Sequence, residues 1–109
     1  MKRKRLPVFR ERHAEIDLTG HILHLLGERP SAAVRFVDAD EGAFERLSTT
    51  PEVGARRQVE NPRFAGLRMW PVPGFKNYLI FYRMRPERVE VLRVLHGARD
   101  ADSPHKRGH

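Results

Sequence analysis

The sequence contains no cysteine. That excludes disulfides, thiolate metal sites and cysteine nucleophiles, and it fits a reducing, cytoplasmic compartment. No apolar run approaches the roughly 20 residues needed to span a bilayer. The basic start, Met1–Arg5 (MKRKR), is not followed by the long apolar segment that a secretory signal requires. Internal repeats and low-complexity stretches are absent too. Acidic residues are outnumbered, 14 against 21 basic ones, for a formal net charge of +7. Lysine itself is scarce, so most of that charge is guanidinium. Such a balance points towards an anionic partner, whether nucleic acid, ribosome or acidic protein, although an arginine-rich genome accounts for it equally well.

What is present is enough for one modest core. At 109 residues, 39% hydrophobic and 32% charged, the chain reads as one soluble globular domain over residues 1–100, with a flexible polar tail at 101–109. Leu6–Phe9 is a short apolar run and a candidate edge strand, because Pro7 cannot donate to a ladder. From about Glu11 the period becomes helical: Ala14, Leu18, Ile22, Leu25 and Leu26 share one face. Gly27–Ser31 then reads as a tight connection, with Gly27 closing the first helix and Ser31 opening the second. The second helix is expected to turn Ala33, Phe36, Val37, Ala43, Phe44 and Leu47 inwards and Asp38, Asp40, Glu41 and Glu45 outwards. A connection this short makes the two helices antiparallel neighbours. Ser48–Gly66 has no period and carries Arg56, Arg57 and Arg63, so it is a loop long enough to be suspected of function.

The C-terminal third is β-rich. A short strand, Leu67–Trp70, is broken by Pro71 and Pro73. Two longer runs follow, Asn77–Arg83 and Val89–His96, joined by Met84–Arg88, where Pro86 marks a hairpin turn. Strict alternation separates Tyr78, Ile80 and Tyr82 from Leu79, Phe81 and Arg83, and separates Val89, Val91, Arg93 and Leu95 from Glu90, Leu92, Val94 and His96. Both faces therefore carry large apolar side chains, while two helices can shelter only one. The expected fold is α+β: an N-terminal strand, an antiparallel helical hairpin and a three-stranded antiparallel meander. Its uncovered apolar face implies a protein partner.

The order of elements and several local sequences resemble the RelE/ParE superfamily of toxins from type II toxin–antitoxin pairs, in particular the ParE-like, plasmid-stabilisation branch. The marks are Ala14 with Asp17-Leu18, Pro30 with Ala32-Ala33, then Leu47, Pro51 and Gly54, Leu67-Arg68, Phe75–Arg83 (FKNYLIFYR) and Val91–Asp100 (VLRVLHGARD). The resemblance implies a cytoplasmic toxin without a cofactor, neutralised by a cognate antitoxin laid over the exposed groove. It further implies DNA gyrase as target, no membrane partner and no sequence-specific DNA binding by the toxin alone. The expected antitoxin contacts are Trp70, Tyr78, Ile80, Tyr82, Val91 and Leu95, and the expected target contacts are Arg83, Arg85, Arg88 and Arg99. The RelE branch implies instead cleavage of mRNA on the ribosome, and a third possibility is an inactive toxin that helps its antitoxin repress their operon.

Cleavage of RNA needs a base for the 2′-hydroxyl, cations for the phosphorane and an acid for the leaving oxygen. The analogues here are Arg68, Arg83, His96 and Arg99, with His96 able to exchange protons near neutrality. Arginines make poor bases, however, and Gly97 follows His96 where relatives offer a tyrosine. Arg85 and Arg88 beside Arg83 could meet phosphate or an acidic patch, or form a solvated turn. His21 and His24 lie three residues apart on one helix, but no acidic or cysteine ligand sits at a diagnostic spacing, so packing is the expectation and no metal site is assigned.

Overall fold

The computed structural model describes residues 5–100. The expected tail at 101–109 and most of the basic start lie outside the described residues. In chain order the elements are β1 (Val8–Arg10), α1 (Arg12–Glu28), α2 (Pro30–Thr49), a 3-10 turn at Pro51–Val53, β2 (Ala55–Arg56), a second 3-10 turn at Pro62–Phe64, β3 (Arg68–Val72), β4 (Phe75–Met84) and β5 (Val89–His96). The α+β architecture and the β3–β4–β5 meander match expectation. The sheet is mixed rather than purely antiparallel: its order is β1-β5-β4-β3-β2, and β1 runs parallel to β5. The two-residue strand β2 emerges from the aperiodic stretch after the helices.

The joint between the helices is a single residue, Arg29, and Gly27 and Ser31 both lie inside helices. Pro30 supplies the reason. Its ring disfavours the helical conformation at the residue before it, and Arg29 is extended at φ −157°. Pro30 itself occupies the first turn of α2, where its missing N–H costs nothing. β3 runs on through Pro71 to Val72. Leu67 offers its carbonyl to Arg57 on the β2 side, and Pro71 is in phase with it. Pro71 thus turns its hydrogen-free nitrogen to the sheet edge, where no donor is needed. The β3–β4 turn is Pro73-Gly74, with Gly74 at φ +82°, a conformation glycine adopts without a Cβ clash.

Both helices pack on one face of the sheet. Ala14, Leu18, Phe36, Ala43, Phe44 and Leu47 meet Val72, Tyr78, Ile80, Tyr82, Val89, Val91 and Val94 in one buried cluster. Leu26, expected inside, is exposed at the end of α1, and Asp40, expected outside, is buried at 6% exposure.

Candidate functional site

One irregularity decides which side chains share a face. Phe81 is paired with Arg93 but Tyr82 with Val91, so β5 carries one extra residue at this point, a β-bulge. Strict alternation would put Val91 and Leu95 on the same side. The extra residue flips the phase between them, so that Val91 and Val94 both enter the helix-covered core while Leu95 lies partly exposed on the far face. The set expected to meet an antitoxin is therefore divided. Tyr78, Ile80, Tyr82 and Val91 are core residues, and Trp70, paired with Ile80, packs against the same core. Only Leu95 stands on the open side.

The open face itself is built from the opposite phase. Phe81, Leu92, Arg93 and Leu95 of the sheet, with Leu67 and Phe64 from the preceding segment, line a predominantly apolar groove of about 350 Å³. The 3-10 turn at Pro62–Phe64 forms its wall, and Arg83 ties that wall down by donating to the Arg63 carbonyl. The suspected loop thus contributes shape, through Phe64, more than its arginines. A signal for this face was available in the sequence. Arg83 is in phase with Leu79 and Phe81, and a charged member marks the phase that reaches water.

Beyond the groove, towards the β4–β5 turn, three arginines converge on one carboxylate. Glu90 is 3% exposed, receiving Arg83 Nε at 2.9 Å, Arg88 Nε and Nη2 at 2.9 and 2.6 Å, and Arg85 Nε at 3.4 Å. Burial alone would raise the Glu90 pKa. The hydrogen bonds and charges of Arg83 and Arg88 outweigh it and hold the group below the usual carboxylate value. Arg83 is largely enclosed, but Arg85 and Arg88 are half exposed, and Arg88 lies 4.9 Å above the ring of Phe9, itself 55% exposed. The turn is not simply solvated, since each arginine holds a geometry on Glu90.

The free edge of β5 is closed by side chains. β1 covers β5 only as far as Val91. Past that point the Val94 N–H donates to Asp17 Oδ2 at 3.0 Å, and the Val94 carbonyl accepts from His21 Nε2 at 2.7 Å. The His96 N–H donates to Asp100 Oδ2 at 2.6 Å. Asp17 also takes a two-pronged contact from Arg93 at 2.7 and 3.0 Å, which pushes the arginine's pKa up. Because a carbonyl accepts from Nε2, His21 Nδ1 is left as an acceptor, and Arg99 Nη2 lies 3.3 Å from it. Arg99 also donates to the Tyr78 hydroxyl at 3.2 Å, and its backbone N–H donates to His96 Nδ1 at 3.0 Å. Burial, with help from the charge of Arg99, keeps His96 below the ordinary histidine pKa. His24 pairs with Glu28 one turn along at 3.3 Å. Among the described residues, no three His, Asp or Glu side chains are placed to hold a metal.

The four residues considered for RNA cleavage do not assemble. His96 is paired with Tyr78 at one end of β4, while Arg83 lies five residues along at the other end. At the ~3.3 Å rise of a strand they stand about 16 Å apart, and they are on opposite faces. Arg68, on β3 next to the edge strand β2, donates to the carbonyls of Glu52 (3.1 Å) and Gly54 (2.7 Å). Only His96 and Arg99 are neighbours.

The family model described as "ParE toxin of type II toxin-antitoxin system, parDE" matches residues 8–101. Among solved structures, a chain of the "Chromosomal ParDE TA system from P. aeruginosa" aligns at a TM-score of 0.67 with 21% identity, covering 84% of this chain and 95% of that one. At this identity the likeness is one of fold. No curated protein sequence matches the chain.

Proposed function

Since this chain belongs to the family of ParE toxins of type II toxin–antitoxin systems, we propose that it inhibits DNA gyrase and is neutralised by a cognate antitoxin lying over the open face of its sheet. The observation that carries the antitoxin half is the groove between Phe64 and Leu95. It presents contiguous apolar side chains on the one sheet face that the helices leave bare, and such a patch fits a polypeptide. Arg83, Arg85 and Arg88 lie beyond the groove on the same face, towards the β4–β5 turn, so a partner that extends along this face also covers basic residues proposed to meet gyrase. Neutralisation then works by occlusion. Arg99 is separate, engaged with Tyr78 and His21.

Gyrase is favoured over ribosome-bound mRNA by the scatter of Arg68, Arg83, His96 and Arg99 over two faces and both ends of the sheet. Cleavage needs its base, acid and cations within about 3 Å of one phosphate. The experiment is a supercoiling assay with purified gyrase, with and without the co-encoded antitoxin, beside primer extension on ribosome-bound mRNA. Loss of supercoiling restored by antitoxin, with intact mRNA, is the expected result. Cut mRNA that becomes intact with His96→Ala would replace this reading with the nuclease one.

A further inference from the structure

We propose that the arginine cage around Glu90 is a preformed receptor for carboxylates of the antitoxin, so that the segment filling the groove is apolar where it meets Phe81 and Leu95 and acidic where it reaches Arg85 and Arg88. This rests on the antitoxin reading above and specifies the chemistry of the partner. Glu90 acts as an internal stand-in for the ligand. One buried carboxylate orders three guanidiniums in the unbound chain, yet it uses only part of their donors, because Arg85 and Arg88 remain half exposed. Arg83 and Arg88, on the short contacts, are thus held in place before the partner arrives, which lowers the entropy lost on docking.

The local charge balance sets the sign of the partner. Arg83, Arg85 and Arg88 share the single carboxylate of Glu90, which leaves two positive charges of the cage in excess of it. The apolar neighbours decide its class. Phe9 lies under Arg88, while Phe81 and Leu92 lie two residues along from Arg83 and Glu90. A nucleic-acid backbone would engage the arginines through phosphates and leave these side chains wet. An acidic, apolar polypeptide engages both. Glu90 and Leu95 pair with Arg83 and Leu79, positions four residues along the unbulged strand, so they stand about 13 Å apart at the usual rise. The partner's carboxylates should stand about that far from its hydrophobic anchors, a spacing of roughly two and a half turns if that segment is helical.

The test is calorimetric titration of this chain with the purified co-encoded antitoxin at low and high salt. The variants are Arg85→Ala/Arg88→Ala, Arg85→Ala alone and Leu95→Ala, each checked for folding by thermal melting. Arg85→Ala keeps the short bonds of Arg83 and Arg88 to Glu90, so it is informative should the double variant not fold. The arginine variants are expected to bind about tenfold or more weakly near 0.1 M salt, with the deficit shrinking near 1 M. Leu95→Ala is expected to weaken binding at both. Unchanged affinity in the arginine variants, with Leu95→Ala still weakened, would overturn the receptor and leave the antitoxin on the open face. No effect from any variant would overturn both. A 30-base-pair duplex that binds the native chain but not the arginine variants, with antitoxin affinity unaltered, would assign the cage to nucleic acid instead.

Discussion

Asp40 lies on the buried side of α2 with its Oδ1 unpartnered among the described residues. Burial pushes its carboxyl from 3.8 up to about 7, against the pull of the nearby Arg10 charge. A raised carboxyl pKa means the folded chain holds a proton that the unfolded chain has released between about pH 4 and pH 7. Stability therefore falls as pH rises through that window, and the full penalty is present above it. At 1.36 kcal/mol per unit the upper bound is about 4 kcal/mol. Asp40→Asn is expected to be more stable than the native chain at pH 8, by a margin that narrows towards pH 4.5, as read from urea denaturation across pH. Tyr82 shows the opposite condition, a buried polar group fully used. Its hydroxyl donates to the Pro51 carbonyl at 2.7 Å and accepts from the Gly54 N–H at 2.8 Å, with Gly54 so close that a Cβ there would fall 2.6 Å from the hydroxyl. Tyr82→Phe strands both partners and should cost on the order of 2–3 kcal/mol, with faster amide exchange at Gly54. Neither role could be read from residue type. Tyr82 looked like a contact for a partner and Asp40 like a solvent-facing acid, because single-residue chemistry does not reveal which neighbours close over it.

At the scale of elements, β5 departs from regular pairing in two places. It bulges opposite Phe81, and beyond Val91 it has no neighbouring strand on one side. An unpaired edge invites pairing with another chain, and α1 prevents this by placing Asp17 and His21 on the Val94 peptide groups. Asp17→Ala should lower stability by about 1–3 kcal/mol through the lost contacts to Arg93 and Val94, and should make the chain self-associate with concentration in sedimentation velocity. The helices, the hairpin and the residues of β5 were all legible in the sequence, because period 3.6 and period 2 are written directly in the spacing of apolar residues. The bulge was not, since its signature is one residue out of phase among Val91, Leu92, Arg93 and Val94, all of which suit a strand. Missing it moved Leu95 and Val91 onto one face when they occupy two. The parallel pairing of β1 escaped for a related reason: three residues carry no orientation, and only β5's position next to β1 fixes it.

Across the whole molecule, two helices cover one side of a five-stranded sheet, and the other side offers a groove, an arginine cage and the exposed Phe9. That a face would be left bare followed from counting helices against apolar strand faces. Which face it was required the packing of Phe36 and Leu47 onto Ile80 and Tyr82, a tertiary choice that local alternation leaves open. A competing apolar surface exists on the outer sides of the helices, where Ile16, Leu23 and Val34 are each more than half exposed. Hydroxyl-radical footprinting of the chain with and without its co-encoded antitoxin separates the two surfaces in one measurement. Protection of Phe64, Phe81, Leu92 and Leu95, with Ile16, Leu23 and Val34 labelled as before, is the predicted result. Protection of the helix side chains, with Phe81 and Leu95 unchanged, would contradict it.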